Sequence, residues 1–354
     1  MTSDQFPTLD VRIERFPIAG SFAISRGART EAVTVVAEVR QGGHIGRGEC
    51  VPYSRYNETP DATLKALQAI RETISRRFDR VALQSAMPAG AARNALDCAL
   101  LDWEAKSSGR RAWDLLGRPA PQPCVTAYTI SLGSPQTMAA AAEQAAHRPL
   151  LKIKLGGDGD GERIAAVRRA APESELIVDA NEAWTPSDLE RNLAACAEAG
   201  VTLVEQPLPS GWDDMLGRIR RPVRVCADES VHDRKSLEGL RGRYDAVNIK
   251  LDKTGGLTEA LAMADAAKAL SFEVMVGCMV ATSLAMAPAM LLTAQARFVD
   301  LDGPLLLARD RDHGLRYDGS LVHPPEAALW GRCMRRFRAD HMTRPPHAAI
   351  AAIT

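Results

Sequence analysis

Acids and lysines recur through the middle of this sequence at the ends of short apolar runs. Leu150-Leu151 leads into Lys152-Ile153-Lys154, Leu176-Ile177-Val178 ends in Asp179, Leu203-Val204 in Glu205, Val225-Cys226-Ala227 in Asp228, Val247-Asn248-Ile249 in Lys250, and Phe298-Val299 in Asp300 with Asp302 two residues on. A single acid in such a place ordinarily caps a helix or meets solvent. Asp179, Glu205 and Asp228, however, close three consecutive runs. If those runs are neighbouring strands, their ends lie about 5 Å apart and the three carboxylates can meet at one hard cation. An all-oxygen set without His or Cys favours Mg2+ over Zn2+, one ion per subunit with Mn2+ as a substitute, and leaves positions open for water and substrate.

The lysines resist a purely structural explanation, because a buried ammonium is costly unless it is paired or neutral. Lys152 and Lys154 are two apart on one run and share a side. Their mutual repulsion and a nearby cation predict a lysine pKa lowered into the range of a general base. Lys250, four runs further along, approaches from across the mouth of a closed sheet, so one amine can take a proton and the other can return one to the opposite face. Asp300 and Asp302 also share a side, where two carboxylates can hold an ammonium through charge-assisted hydrogen bonds.

Positioning these groups requires a particular set of elements. Apolar runs at residues 125–130, 150–155, 176–180, 202–206, 224–227, 246–251, 273–277 and 298–301, mostly separated by helix-patterned sequence, read as eight parallel strands with right-handed crossovers. A closed barrel is the simplest arrangement, and in barrels reactive groups gather at the carboxyl ends of the strands. An open doubly wound sheet would carry a GxGxxG turn, which Gly156-Gly157-Asp158-Gly159 does not satisfy. Before the barrel, period-two alternation at 11–16 and 32–39 predicts antiparallel strands, and helical periodicity at 62–77 and 91–106 predicts helices. Residues 1–120 therefore read as an α+β domain, 121–318 as the barrel and 319–354 as a C-terminal segment whose part at 321–330 returns to the first domain. The last twenty or so residues, with Arg335, Arg336, Arg338 and Arg344, read as a solvated tail.

Composition sets the outer bounds. The 354 residues, 46% hydrophobic, suffice for a large core, and 44 basic against 44 acidic residues give no global field toward nucleic acid or an anionic membrane. The seven cysteines form neither a CxxC pair nor a zinc spacing and read as thiols in a reducing compartment. The first residues lack a signal peptide pattern and no apolar run reaches membrane-spanning length, so the expectation is a cytoplasmic protein with a small-molecule substrate and a possible homo-oligomeric state.

Longer stretches carry a resemblance. Pro88-Ala89-Gly90-Ala91-Ala92-Arg93-Asn94-Ala95-Leu96-Asp97, Ile177-Val178-Asp179-Ala180-Asn181-Glu182, Val247-Asn248-Ile249-Lys250-Leu251-Asp252-Lys253-Thr254-Gly255-Gly256 and Asp300-Leu301-Asp302-Gly303-Pro304 resemble the enolase superfamily, in the muconate-lactonizing subgroup and its dipeptide epimerases. The resemblance runs to about residue 330. It implies an α/β fold, a modified TIM-type (β/α)7β barrel capped by the N-terminal α+β domain, whose loops near 22–29 and 48–59 close the substrate pocket. It also implies Lys bases working with Mg2+ on an enediolate, with Lys154 and Lys250 as the two acid/base catalysts and Lys152 beside the substrate carboxylate. In the family Asp300 and Asp302 mark a dipeptide's amino terminus, Arg26 faces an acidic side chain, and Thr129, Cys278 and Met279 line the pocket.

The implied reaction is inversion of the second residue of a dipeptide such as L-Ala-L-Glu, in the breakdown or recycling of cell-wall peptides. An N-acyl-amino-acid racemase or an o-succinylbenzoate synthase would use the same metal and lysine frame but has no use for the aspartate pair. Outside that chemistry stand a Schiff-base aldolase barrel, which needs no acidic trio, and a non-catalytic metal-binding protein, which needs neither Lys154 nor Lys250.

Overall fold

The computed structural model describes residues 7–71 and 79–331. The expectations for the first residues, for Cys333 and for the arginine-bearing tail fall outside them, as does the end of the helix expected at 62–77.

The chain opens with an antiparallel meander, β1 (Thr8–Ile24), β2 (Gly27–Gln41) and β3 (His44–Cys50). The alternation read at 11–16 and 32–39 is the centre of β1 and β2, where Val11 pairs with Ala37 and Ile13 with Val35. One face of the sheet buries Leu9, Val35, Ala37 and Val39 against Leu67, Leu83 and Leu96 of three helices, α1 (Pro60–Ala69), α2 (Arg80–Ala86) and α3 (Ala91–Ser108). Thr59 and Asp79 cap the first two, each side chain accepting a hydrogen bond from a first-turn N–H. β3 escaped the sequence reading because its Gly46 and Gly48 interrupt the apolar alternation. Both are glycine for close packing: a Cβ at Gly48 would stand 2.0 Å from the Ala95 carbonyl of α3. The register of β1 and β2 shifts between Pro17 and Phe22, and the hairpin tip beyond leans over the second sheet.

That sheet is eight-stranded and parallel: β5 (Tyr128–Ile130), β6 (Leu150–Lys154), β7 (Glu175–Asp179), β8 (Val201–Glu205), β9 (Arg224–Ala227), β10 (Ala246–Ile249), β11 (Glu273–Val276) and β12 (Phe298–Val299), hydrogen-bonded in chain order. Its edges meet through the Ala127 N–H, which donates to the Val299 carbonyl at 2.8 Å. Helices α4 (Pro135–Gln144), α5 (Asp160–Ala170) and α6 (Leu189–Glu198) cover the early strands, and α7 (Leu251–Thr254) and α8 (Leu257–Ala269) follow β10. Among the described residues, the crossovers from β8 to β9 and from β9 to β10 hold only 3-10 turns. Their prolines and glycines, Pro207, Pro209, Gly211, Pro222, Gly239 and Gly242, stop a longer helix.

The run at 125–130 divides. Val125 belongs to β4 (Cys124–Val125), which pairs with β14 (Leu321–Val322), itself paired with β13 (Tyr317–Asp318); only from Tyr128 does the chain join the large sheet. Beyond β14 the chain reaches the meander's helices. Arg47 donates to the Ala328 and Leu329 carbonyls at 2.7 and 3.0 Å, the Trp330 indole to the Cys98 carbonyl at 3.1 Å, and the Gly331 N–H to Asp102 at 2.7 Å.

Candidate active site

One residue from each barrel strand or its leading edge forms an apolar floor: Ala127, Leu150, Ile177, Leu203, Cys226, Ala246, Met275 and Phe298 touch across the interior as one buried cluster. Strand geometry turns every second side chain inward, so the next tier is read two residues further on: Thr129, Lys152, Asp179, Glu205, Asp228, Asn248, Gly277 and Asp300. Above it stand Lys154, Lys250, Met279 and Asp302. Gly277 gives this tier its room, since a Cβ there would fall 2.5 Å from the Asn248 amide oxygen.

The three acids expected to share a cation are treated alike by the scaffold. Each has one oxygen tied outward: Asp179 Oδ1 accepts from the Asn181 N–H at 2.9 Å, Glu205 Oε1 from Asn248 Nδ2 at 2.7 Å, and Asp228 Oδ1 from Lys253 Nζ at 2.5 Å. Each turns its other oxygen to an ammonium. Asp179 Oδ2 meets Lys154 at 2.6 Å, Asp228 Oδ2 meets Lys250 at 2.7 Å, and Glu205 Oε2 lies 2.7 Å from Lys152. The last approach misses hydrogen-bonding direction and leaves that buried oxygen without a hydrogen bond. Lys152 also reaches Asp300 at 2.7 Å and Asp179 at 3.3 Å. Among the described residues no group of three or more His, Cys, Asp and Glu is gathered closely enough to hold a metal ion as it stands. The lysine ammoniums occupy the inward oxygens and stand where a cation's charge is wanted. The donor set fits a hard divalent cation on two counts: it is all carboxylate, and the buried Glu205 Oε2 has no hydrogen-bond partner.

The expected lowering of a lysine pKa supposes a nearby divalent cation; the protein's own carboxylates act in the opposite direction. Burial pulls Lys250 down, but the charges of Asp228 and Glu205 outweigh it and hold the ammonium well above its usual value; Lys152 is held up in the same way by Asp300, Glu205 and Asp179. The carboxylates, not the neighbouring lysines, decide the balance. Burial pushes Asp179 and Asp228 up, yet the facing lysines bring both well below the usual carboxylate range, whereas burial and the charge of Asp179 raise Glu205. Asp302 is pushed up to about 7 by burial and then by Asp300, and its Oδ2 accepts the Thr129 N–H at 2.7 Å.

A cavity of about 320 Å3 opens above this tier, lined by Arg26, Thr129, Lys152, Lys154, Asp228, Lys250, Cys278, Met279, Asp300 and Asp302. Asp179 and Glu205 lie behind the lysines that cover them. Lys154 on β6 and Lys250 after β10 stand four strands apart, with the acid row between them. The meander supplies the roof. Ala23 accepts from the Leu132 N–H at 3.0 Å, Ser25 donates to the Asn181 carbonyl at 3.0 Å, and the Phe22 ring lies 5.8 Å from Lys154 Nζ. Arg26 lines the cavity, but its guanidinium is engaged by Glu229 at 2.7 Å, Glu182 at 3.2 Å and the Tyr53 hydroxyl at 3.0 Å.

Asn248, Lys253, Glu229, Glu182 and Tyr53 were not singled out from the sequence. Asn248 was detectable by its register two residues before Lys250. Lys253 reads as an exposed helical lysine until the turn that buries it is seen.

Comparison with known proteins agrees on the family. Residues 8–117 match the family model for the mandelate racemase/muconate lactonizing enzyme N-terminal domain, and residues 137–328 match the enolase C-terminal domain-like model. The L-Ala-D/L-Glu epimerase of Escherichia coli K12 is 44% identical over 318 residues, covering 89% of this chain and 99% of the relative. An N-acetyl-D-glutamate racemase of Pseudoalteromonas is also 44% identical, over 87% of this chain and 99% of its own. Among solved structures, an enolase family member from Agrobacterium tumefaciens with homology to dipeptide epimerases, bound to sodium and L-Ala-L-Glu, superposes with a TM-score of 0.90 at 56% identity, covering 92% of this chain and 100% of its own. A dipeptide epimerase from Cytophaga hutchinsonii in complex with Mg and D-Ala-L-Val gives 0.85 at 26% identity, covering 94% and 97%.

Proposed function

Because the chain belongs to the mandelate racemase/muconate lactonizing enzyme family of the enolase superfamily, we propose that it is a dipeptide epimerase, an L-Ala-D/L-Glu epimerase that inverts the α-carbon of the second residue. The observation that carries the chemistry is the placement of Lys154 and Lys250 on opposite flanks of the acid row. Epimerisation needs a proton taken from one face and another delivered to the other, and two amines so placed can do both.

Asp179, Glu205 and Asp228 would hold Mg2+, with Mn2+ as a substitute, and the ion would supply positive charge opposite the substrate carboxylate as its α-carbon loses the proton. Lys152 would meet that carboxylate from the floor side. Asp300 and Asp302 hold the free ammonium at the other end of the dipeptide, which fixes the α-carbon between the two lysines. One lysine removes the α-proton, and the other protonates the planar carbanion from the far side. Arg26 is assigned to the acidic side chain of the second residue, a role in which it exchanges Glu229 or Glu182 for the substrate. Thr129, Cys278 and Met279 shape the remaining wall.

A racemase of N-acylated glutamate is the competing reading, favoured by the equally identical Pseudoalteromonas relative. The aspartate pair favours the free amine, since a neutral acylamide placed against two buried carboxylates gains no charge compensation. In D2O with Mg2+, the chain should exchange the glutamyl α-proton of L-Ala-L-Glu and accumulate L-Ala-D-Glu. Faster turnover of N-acetyl-glutamate or of N-acetyl-L-Ala-L-Glu would overturn the assignment. The chemistry suits recycling of cell-wall peptides that contain D-Glu. Among the described residues no helix is long and apolar enough to cross a membrane.

A further inference from the structure

We infer that Lys253 is a positioning residue that fixes Asp228 so that it offers a single oxygen to the cation site. The inference rests on the cation-site reading above and assigns a role to a group that reaches neither substrate nor cavity. Lys253 lies on the single turn α7 directly after Lys250 and is 3% exposed. Its ammonium has three protons and three acceptors: the Asp228 carbonyl at 2.6 Å, Asp228 Oδ1 at 2.5 Å and the Asn248 carbonyl at 2.9 Å. An ammonium saturated in this way stays put, because any rotation leaves a buried proton or oxygen unpaired.

The consequence falls on Asp228. Its N–H donates to Gln206 Oε1 at 2.9 Å, and its carbonyl and Oδ1 are taken by Lys253, so three of its polar groups are committed below the cavity floor. Only Oδ2 is left to face the mouth, where it meets Lys250. Because Lys253 also holds the Asn248 carbonyl on β10, the same ammonium ties the strand bearing the ligand to the strand leading into the catalytic lysine. It acts on the cation site through Asp228, as an outer group that orients a ligand does in other metal centres, where losing one typically lowers metal affinity about 10- to 100-fold.

The test measures Mn2+ binding to the full chain by electron paramagnetic resonance, as dissociation constant and stoichiometry separately, with Mg2+-supported turnover alongside. Lys253→Met should weaken Mn2+ binding by about 10- to 100-fold while the stoichiometry stays at the wild-type value, and raising Mn2+ should restore most of kcat. A purely structural lysine would instead lower the stoichiometry through loss of folded protein and leave the dissociation constant of the remainder unchanged, which overturns the inference. Lys253→Arg keeps the charge but cannot place three donors on these acceptors, and it carries the test if the methionine variant does not fold. Arginine binding Mn2+ as the wild type does would show that charge alone suffices and overturns positioning. Failure of the wild-type protein to bind Mn2+ at all would instead remove the cation-site reading itself, an outcome separable from the others.

Discussion

The two proposed catalytic amines make a stereochemical prediction. With Lys154→Ala or Lys250→Ala, one face of the α-carbon still has a base and the other has none. Epimerisation should fall by about 10^2- to 10^4-fold, while each variant continues to exchange the α-proton of one epimer of Ala-Glu with D2O, Lys154→Ala one epimer and Lys250→Ala the other. Proton NMR of each epimer separately checks this, and exchange of both by either variant would contradict the opposed placement. Asp302 adds a pH signature. Its carboxyl titrates near pH 7 because burial and Asp300 disfavour its charge, so below that pH it is protonated and holds an ammonium less well. kcat/KM for the free dipeptide should therefore rise as pH passes upward through about 7. Asp302→Asn should lower it and flatten that rise. At this scale the sequence was most legible, because Lys152, Lys154, Asp179, Glu205, Asp228, Lys250, Asp300 and Asp302 all lie at register positions that strand periodicity makes readable. What periodicity does not reveal is which group answers each charge. The charges of Asp228 and Glu205 oppose the effect of burial on Lys250 and raise its pKa, and Lys253 is turned inward by one helical turn.

At the level of elements, the join between meander and barrel is built from a few buried polar contacts around α3. Arg93 donates to the Gly255 and Thr254 carbonyls, Asp97 accepts from Thr258, and Asn94 Nδ2 donates to Asp252 Oδ1 at 2.8 Å, all within a few residues of Lys250. Burial pushes Asp252 up to about 7. A carboxyl that binds its proton more tightly when folded contributes stability that is complete below the unfolded pKa and is lost as pH rises through the folded one. Thermal stability should therefore fall between roughly pH 4 and 7 on this account, and Asp252→Asn, which keeps an acceptor for Asn94 and Val51, should flatten that fall and melt higher at pH 8. Scanning calorimetry across pH decides it. Gly48→Ala tests the packing of α3 on β3: the added methyl meets the Ala95 carbonyl, which is backbone and cannot swing aside, so a loss of about 1–3 kcal/mol is expected in chemical denaturation. The strands and α3 could be read from apolar period. β3 could not, because the glycines that admit α3 erase its alternation, and the 3-10 crossovers could not be told from helices by apolar content alone.

In the molecule as a whole, the barrel centre carries its own charge compensation. Lys152, Lys154 and Lys250 neutralise the inward oxygens of Glu205, Asp179 and Asp228, so removing divalent cations should abolish turnover without unfolding the protein. EDTA-treated chain should keep its near- and far-ultraviolet circular dichroism, and its melting temperature should rise on titration with Mg2+ by the amount mass action sets. Unfolding on chelation would mean that the ion, and not the lysines, holds the acid row together. The floor of eight apolar side chains has a kinetic meaning as well. It closes the barrel below the reactive groups, so substrate can arrive and product can leave only on the side that the β1–β2 tip overhangs, and a stiffer tip is expected to slow both exchanges.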